Sequence, residues 1–348
     1  MFEAGTVFVV GAGASAEFGL PVGWALVEQI REKSKFNFDH GSYPKGNRKI
    51  FETVFSKYGK EQKQLEQAFM AFADIQQGVE TAGSIDEYIN RYSDDSLIAE
   101  LGKLLIAHSI LEAENKSKLM PAKGQEAEGI NWNSVQDTWI SPFARTLFDG
   151  IKANDVESIG NGIKIICFNY DRCIEHYLEY AIMRAYRGVE RKQARQIVDN
   201  MQILHPYGSL GTLNNFSFGT PIEHTNLYNV TKNLITWSET ISDETLPDAM
   251  RQAVLDARTI VFLGFAFANQ NLKLLKPEMA TSKPYFTNVY ATAFGLTNDV
   301  EESLRRKIGR LVTPRDYLIS DPQERAIKFK YGMKCREFMD TQMLNIAV

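Results

Sequence analysis

Thr6-Val7-Phe8-Val9-Val10-Gly11-Ala12-Gly13-Ala14-Ser15-Ala16 opens the chain with a β-branched and apolar run that ends in two closely spaced glycines. A run of this kind without polar alternation fits a strand buried on both faces of a parallel sheet. Glycines at the strand-to-helix turn let the backbone approach a pyrophosphate, and the helix that follows turns free N–H groups and its positive dipole end toward phosphate oxygens. The G-x-G-x-x-A spacing by itself also fits a merely tight glycine turn. No lysine follows where a P-loop requires one, which disfavours an ATPase. A dehydrogenase would carry an acidic residue at the end of a second strand about 20 residues further on. Here Trp24–Ser34 reads as an amphipathic helix, with Glu28 and Glu32 on its solvated face.

Working outward, the same short apolar pattern recurs at Ile163–Phe168, Gln202–Leu204, Thr259–Leu263 and Val289–Thr292. Between Leu65 and Ile151 the apolar residues instead fall three or four apart, as in Leu65, Phe69, Phe72 and in Leu97, Leu101, Leu104, Leu105, which is helical spacing. Ser84-Ile85-Asp86-Glu87 places a hydroxyl three residues before a carboxylate, a capping box that starts one of these helices. Asn115–Asn131 is polar and glycine-bearing and reads as a loop. The expected fold class is α/β, a Rossmann-like doubly wound parallel sheet with an inserted all-helical subdomain over residues 37–154. Residues 298–348 carry no readable motif.

The chain's 348 residues are 44% hydrophobic, enough to bury a core without disulfides. A formal charge of -4 gives no global footprint for nucleic acid or an anionic membrane, although Arg184–Arg195 is locally basic. Cys167, Cys173 and Cys335 include no CxxC pair and cannot close a four-cysteine metal site, so reduced thiols in a cytoplasmic protein and no metal are expected. With no apolar span of about 20 residues, neither export nor membrane insertion is expected.

Three later motifs place polar residues at strand ends, where open α/β sheets carry their ligand sites. In Ile165-Ile166-Cys167-Phe168-Asn169-Tyr170-Asp171, Asn169 offers a donor and an acceptor suited to a ribose hydroxyl or a water, or it ends the strand in an Asx turn. Asp171 serves the same site or caps the helix Arg172–Tyr186. In Ile203-Leu204-His205-Pro206-Tyr207-Gly208, His205 is exposed yet fixed, and imidazole titrates near neutral pH. His108 and His176 fall within helical patterns, and His40 and His224 within polar loops. In Val261-Phe262-Leu263-Gly264-Phe265, Gly264 permits another close backbone approach, and Asn269 or Asn271 can reach sugar or adenine.

Taken in order, the GAGxS loop, the Asn-x-Asp after a strand, the His at a strand end and the late glycine turn resemble the NAD site of the sirtuin family. The phrase Phe168-Asn169-Tyr170-Asp171, the pattern Ser84-Ile85-Asp86-Glu87-Tyr88 and Leu263-Gly264-Phe265 are more similar to SIR2-like domains of bacterial antiphage systems. The resemblance covers Phe2–Glu32 and Ile163–Phe294, with weaker cover of the helical segment. Deacylating sirtuins add a zinc ribbon and a Phe-Arg after the Gly-x-Pro turn, whereas this chain reads Gly19-Leu20-Pro21-Val22-Gly23-Trp24. The resemblance therefore implies hydrolysis of NAD+ to nicotinamide and ADP-ribose, with Asn169 and His205 catalytic, and with Gly11, Ala12, Gly13, Ser15, Asp171, Gly264 and Asn271 binding NAD+. In this reading His205 accepts a proton from a ribose hydroxyl or a water. It further implies a homo-oligomer and a partner such as a HerA-like hexameric ATPase, without direct nucleic-acid or membrane binding. An NAD or ADP-ribose binding module without catalysis and an NAD(P)-dependent oxidoreductase remain as alternatives.

Overall fold

Among the described residues, five of the six strands form where the apolar runs stand: β1 (Thr6–Val10), β2 (Ile163–Cys167), β3 (Ile203–Leu204), β4 (Thr259–Leu263) and β5 (Asn288–Ala293). The computed structural model of the chain describes residues 1–38, 45–242, 244–277, 286–312, 323 and 325–348, so His40 lies outside the described residues. The sixth strand, β6 (Ile327–Tyr331), lies in the stretch without a readable motif. Its sequence Ile327-Lys328-Phe329-Lys330-Tyr331 alternates, as a half-covered edge strand should, and its lysines blunt the open edge. The order is β3-β2-β1-β4-β5-β6, and every neighbouring pair is parallel.

Alternation along β1 divides the core in two. Val7 and Val9 face one helical layer, whereas Phe8 and Val10 face the other. The first layer contains the helices Gly23–Lys33, Arg48–Tyr58, Gln62–Gly78, Ile85–Arg91 and Ser96–Asn115, joined by Thr245–Asp256, Asn269–Leu275 and Glu301–Val312. The second contains Ile140–Phe148, Cys173–Ala185, Arg191–Asn200 and Cys335–Ile346. The stretch between β1 and β2 is therefore helical, as its periodicity predicts, but its parts pack on opposite faces of the sheet. Phe143 sits against Phe2 and Phe8 with ring centroids 5.2 and 5.0 Å apart, and Trp139 donates its indole N–H to Ala14 O at 3.0 Å. Helix Ile85–Arg91 starts as expected, with Ser84 Oγ accepting from Glu87 N at 3.1 Å, while the Glu87 carboxylate reaches back to Gly83 N.

A buried ion pair locks the helical stretch to the sheet. Arg172, the residue before helix Cys173–Ala185, and Glu114, at the end of helix Ser96–Asn115, have side chains 2% and 0% exposed. The guanidinium donates to Glu114 and to the carbonyls of Gly211, Phe216 and Ser217. Such a pair is tolerated inside a protein only when its donors and acceptors are matched in this way.

The tightest constraint lies between the loops after β1 and β4. Gly11 N donates to Leu263 O at 2.9 Å and Gly13 N to Gly264 O at 3.0 Å. Gly264 has φ +58°, and a Cβ there would stand 2.1 Å from Ala14 N and 2.4 Å from Gly13 C. Gly295 also has positive φ, at +78°, but a Cβ there would meet nothing within 4 Å. Gly264→Ala should therefore cost about 3 kcal/mol or more, combining the left-handed penalty with overpacking. Gly295→Ala should cost only about 1 kcal/mol. Equal losses in urea unfolding would show that the backbone contact is dispensable.

Candidate functional site

The chain order reverses between β1 and β4, and ligand crevices of open α/β sheets lie outside the carboxyl ends of the strands at such a point. The sequence-predicted residues collect at these ends. Asn169 follows β2 by two positions and is buried, with its side-chain amide donating to Gly11 O at 3.1 Å and to Ser15 Oγ at 2.7 Å. Both amide hydrogens are thus engaged, and Oδ1 is the acceptor left over among the described residues. The Asp171 carboxylate accepts from Cys173 N at 3.1 Å, and Ser15 nearby favours its ionised form. Asp171 thus ties down the first turn of the helix from one position before its N-cap. Burial raises the Asp171 pKa, against the lowering effect of these hydrogen bonds.

The glycine loop has a different local logic from the one its spacing suggests. Gly11 and Gly13 give the space of their missing side chains to the Gly264–Phe265 backbone, and their N–H groups are bonded within the protein. The helix that Gly11 caps and that contains Gly13, Ala12–Ser15, is a single turn. Beyond Gly264, Phe267 is buried and adopts a left-handed φ of 55°, a strained conformation for a bulky residue. Asn271 lies on helix Asn269–Leu275, and its Oδ1 accepts from Tyr207 OH at 2.7 Å.

His205 follows β3 directly. Its Nδ1 stands 3.1 Å from Asn169 O, and its Nε2 stands 2.7 Å from Glu175 Oε1. Burial alone would lower its pKa, but the Glu175 charge and both hydrogen bonds outweigh that and raise it above the ordinary histidine value. Glu175 shifts the other way: burial opposes ionisation, and the attraction and hydrogen bond of His205 bring its pKa below the usual carboxylate range. With both ring nitrogens facing acceptors, the ring becomes a proton acceptor only by giving up one of these bonds.

Sequence reasoning missed two carboxylates. Glu175 sits in the first helical turn after the Asn-x-Asp, and only its distance to His205 marks it. Asp86 stands inside the helix-start pattern Ser84–Glu87 and accepts from Tyr170 OH, bringing the helical layer against the β2 loop. Burial pushes its carboxyl up to about 6, although the Tyr170 hydrogen bond pulls the other way. The other histidines are placed quietly: His108 pairs with Asn47, and His176 stacks on Phe218 at 4.1 Å. Within the locally basic run, Arg191 and Arg195 both bind the buried Glu179. Cys167, Cys173 and Cys335 are free and buried. Among the described residues no group of three or more His, Cys, Asp or Glu side chains could hold a metal ion, and no helix is long and apolar enough to cross a membrane.

Comparison of the chain with protein-family models, with curated proteins and with solved structures finds no match.

Asp86 yields a test of the site's electrostatics. A carboxyl whose folded pKa is raised binds its proton more tightly in the folded state, so its contribution to stability falls as pH rises from the ordinary aspartate range to about 6. Asp86→Asn removes that titration. Its stability relative to the parent should therefore be greater at about pH 7 than at about pH 4 by about 1–3 kcal/mol, discounted for partial exposure. A pH-independent difference in urea midpoints would place the carboxyl in a solvated setting.

Proposed function

We propose that the chain is a SIR2-like NAD+ glycohydrolase that cleaves NAD+ to nicotinamide and ADP-ribose. The observation that carries this reading is Asn169: a buried amide at the strand end, clamped through both hydrogens to Gly11 and Ser15, with its Oδ1 left as an acceptor. The ordered motifs of the sequence, on a sheet of order β3-β2-β1-β4-β5-β6, support the same reading.

The chemistry asks little acid catalysis of the protein. As the nicotinamide–ribose bond breaks, its electron pair leaves with the nicotinamide, which departs neutral, and oxocarbenium character develops at the anomeric carbon. Water adds there and releases one proton. A rigid acceptor that holds a ribose hydroxyl or the attacking water lowers the entropic part of the barrier, and a site closed to bulk water protects the cation. Asn169 Oδ1 suits that task because its amide end cannot rotate without breaking two hydrogen bonds. In this reading the loop Gly11–Ser15 borders the pyrophosphate with groups other than the Gly11 and Gly13 N–H, which are bonded to Leu263 and Gly264, and Gly264 and Asn271 take the far side of the dinucleotide. The wider proposal is an NAD-depleting effector of antiphage defence, cytoplasmic and homo-oligomeric, working with a partner such as a HerA-like ATPase. Light scattering that finds a monomer at micromolar concentration would count against the oligomer.

Incubating the purified protein with NAD+ and separating products by chromatography distinguishes hydrolysis from simple binding, and reduced nicotinamide absorbance reports hydride transfer. Asn169→Ala should lower nicotinamide release by roughly a hundredfold or more, as loss of a positioning contact in a preorganised site can. The variant should still fold, with about 1–3 kcal/mol lost from the polar groups left unpaired. Turnover within a few-fold of the parent would remove Asn169 from the mechanism.

A further inference from the structure

We infer that His205 and Glu175 form a charged clamp that positions Asn169, with His205 acting as a double donor and Glu175 as its anchoring residue. The inference rests on the reading of Asn169 as the centre of the site, and it reverses the pH behaviour expected of a histidine base.

The geometry sets the protonation. A neutral imidazole has one N–H and one lone pair. Here Nδ1 faces the carbonyl of Asn169 at 3.1 Å and Nε2 faces a carboxylate oxygen of Glu175 at 2.7 Å, and neither partner can donate while Glu175 is ionised. Both contacts are satisfied together by an imidazolium beside an ionised Glu175. Glu175 is well placed to stay ionised, because it lies in the first turn of the helix Cys173–Ala185, where the positive dipole end favours an anion.

The clamp takes over where the backbone ladder stops. β2 and β3 pair at Ile165–Ile203 and Ile166–Leu204, and the next cross-strand link is the His205 ring reaching Asn169 O. The side chain of Asn169 is held by Gly11 and Ser15, and its carbonyl is held by His205. Three strand-end loops therefore converge on one residue.

His205 and Glu175 also line a cavity of about 200 Å³ whose lining does not include Asn169. Among the described residues Glu175 Oε2 is buried without a hydrogen-bond partner, and the carboxylate contacts the ring through Oε1. The charged groups around the pair are Asp171 and Arg172 on the β2 loop, Glu179 further along the same helix, and Arg195 and Asp199 on the helix Arg191–Asn200. Arg172 is committed to Glu114 and Arg195 to Glu179, which leaves Glu175 as the carboxylate in hydrogen-bond contact with the ring.

The sign follows from which form makes the clamp. Protonated His205 holds both partners, and its pKa is raised, so the clamp is complete below the ordinary histidine value and is lost as pH rises through the folded one. Turnover limited by Asn169 geometry then falls on the alkaline side. A histidine acting as general base gives the opposite limb, with activity lost on acidification.

The test pairs a titration that needs no activity with one that does. In histidine-labelled parent protein, the His205 imidazole resonance should titrate above about 6.5, the ordinary histidine value, and the Asn169 side-chain amide signals should move with the same midpoint. Glu175→Gln should lower that midpoint by about one unit or more, and Glu175→Asp serves the same purpose if the glutamine variant does not fold. In the NAD+ assay the parent should lose turnover above the NMR midpoint. Glu175→Gln should move that limb to lower pH and reduce kcat about tenfold near neutrality, with KM changed far less. A parent His205 that titrates at or below the ordinary value, Asn169 signals blind to it, or turnover lost only on acidification would overturn the clamp. If NAD+ is not cleaved, the hydrolase reading fails while the NMR titration still decides the clamp.

Discussion

The contact on which the rest of the structure depends is backbone against backbone: the Gly11–Ala14 turn after β1 lies directly on Gly264 after β4. No side chain fits between them, since a Cβ on Gly264 would stand 2.1 Å from Ala14 N. The two central strands can therefore end in register, Val10 opposite Leu263, and both loops can leave the sheet at the same level. The strained Phe267 is a consequence of that turn. Its left-handed backbone is held by packing of its ring against Phe262, Phe265 and Phe329, with centroids 5.4 to 6.5 Å away.

Once the loops are fixed, the polar groups at the sheet's carboxyl end form one connected chain. Asn169 donates to Ser15, Ser15 favours the ionised form of Asp171 nearby, and Asp171 accepts from the first turn of the next helix. Buried polar groups are costly unless they are paired, and here each link satisfies the next. Arg172 and Glu114 extend the same principle to a full ion pair, closing the long helical stretch back onto the β2 loop. The result is a rim in which the Asn169 amide is fixed by Gly11 and Ser15 and its backbone carbonyl by His205.

The charge distribution around that site follows from geometry more than from composition. Glu175 raises the pKa of His205, burial raises that of Asp86, and Glu179 binds Arg191 and Arg195 from the basic run. Each of these pairings joins different elements of the fold or successive helices. They turn a nearly balanced net charge into local charge pairs around the carboxyl end of the sheet.

What the sequence by itself determined is the sheet and the residues at its rim. Apolar runs locate β1, β2, β4 and β5 almost to the residue, because a strand covered on both faces has few polar positions to disguise it, Lys164 in β2 being one. Asn169 and His205 stand out because each interrupts such a run at its carboxyl end. β6 alternates with lysines and carries no such mark. The helical character of the stretch between β1 and β2 was legible from its spacing, but its division between two faces was not, since periodicity reports a buried stripe and not the surface that covers it. Only the tertiary structure decided that Gly11 and Gly13 serve a neighbouring backbone, that Asp86 meets Tyr170 and that Glu175 meets His205. The physical reason is that hydrogen bonds and ion pairs act over about 3 Å in space, whereas a single sequence records local patterns along the chain. The partners of the Asn169 side chain lie more than 150 residues away, and no local pattern encodes that distance.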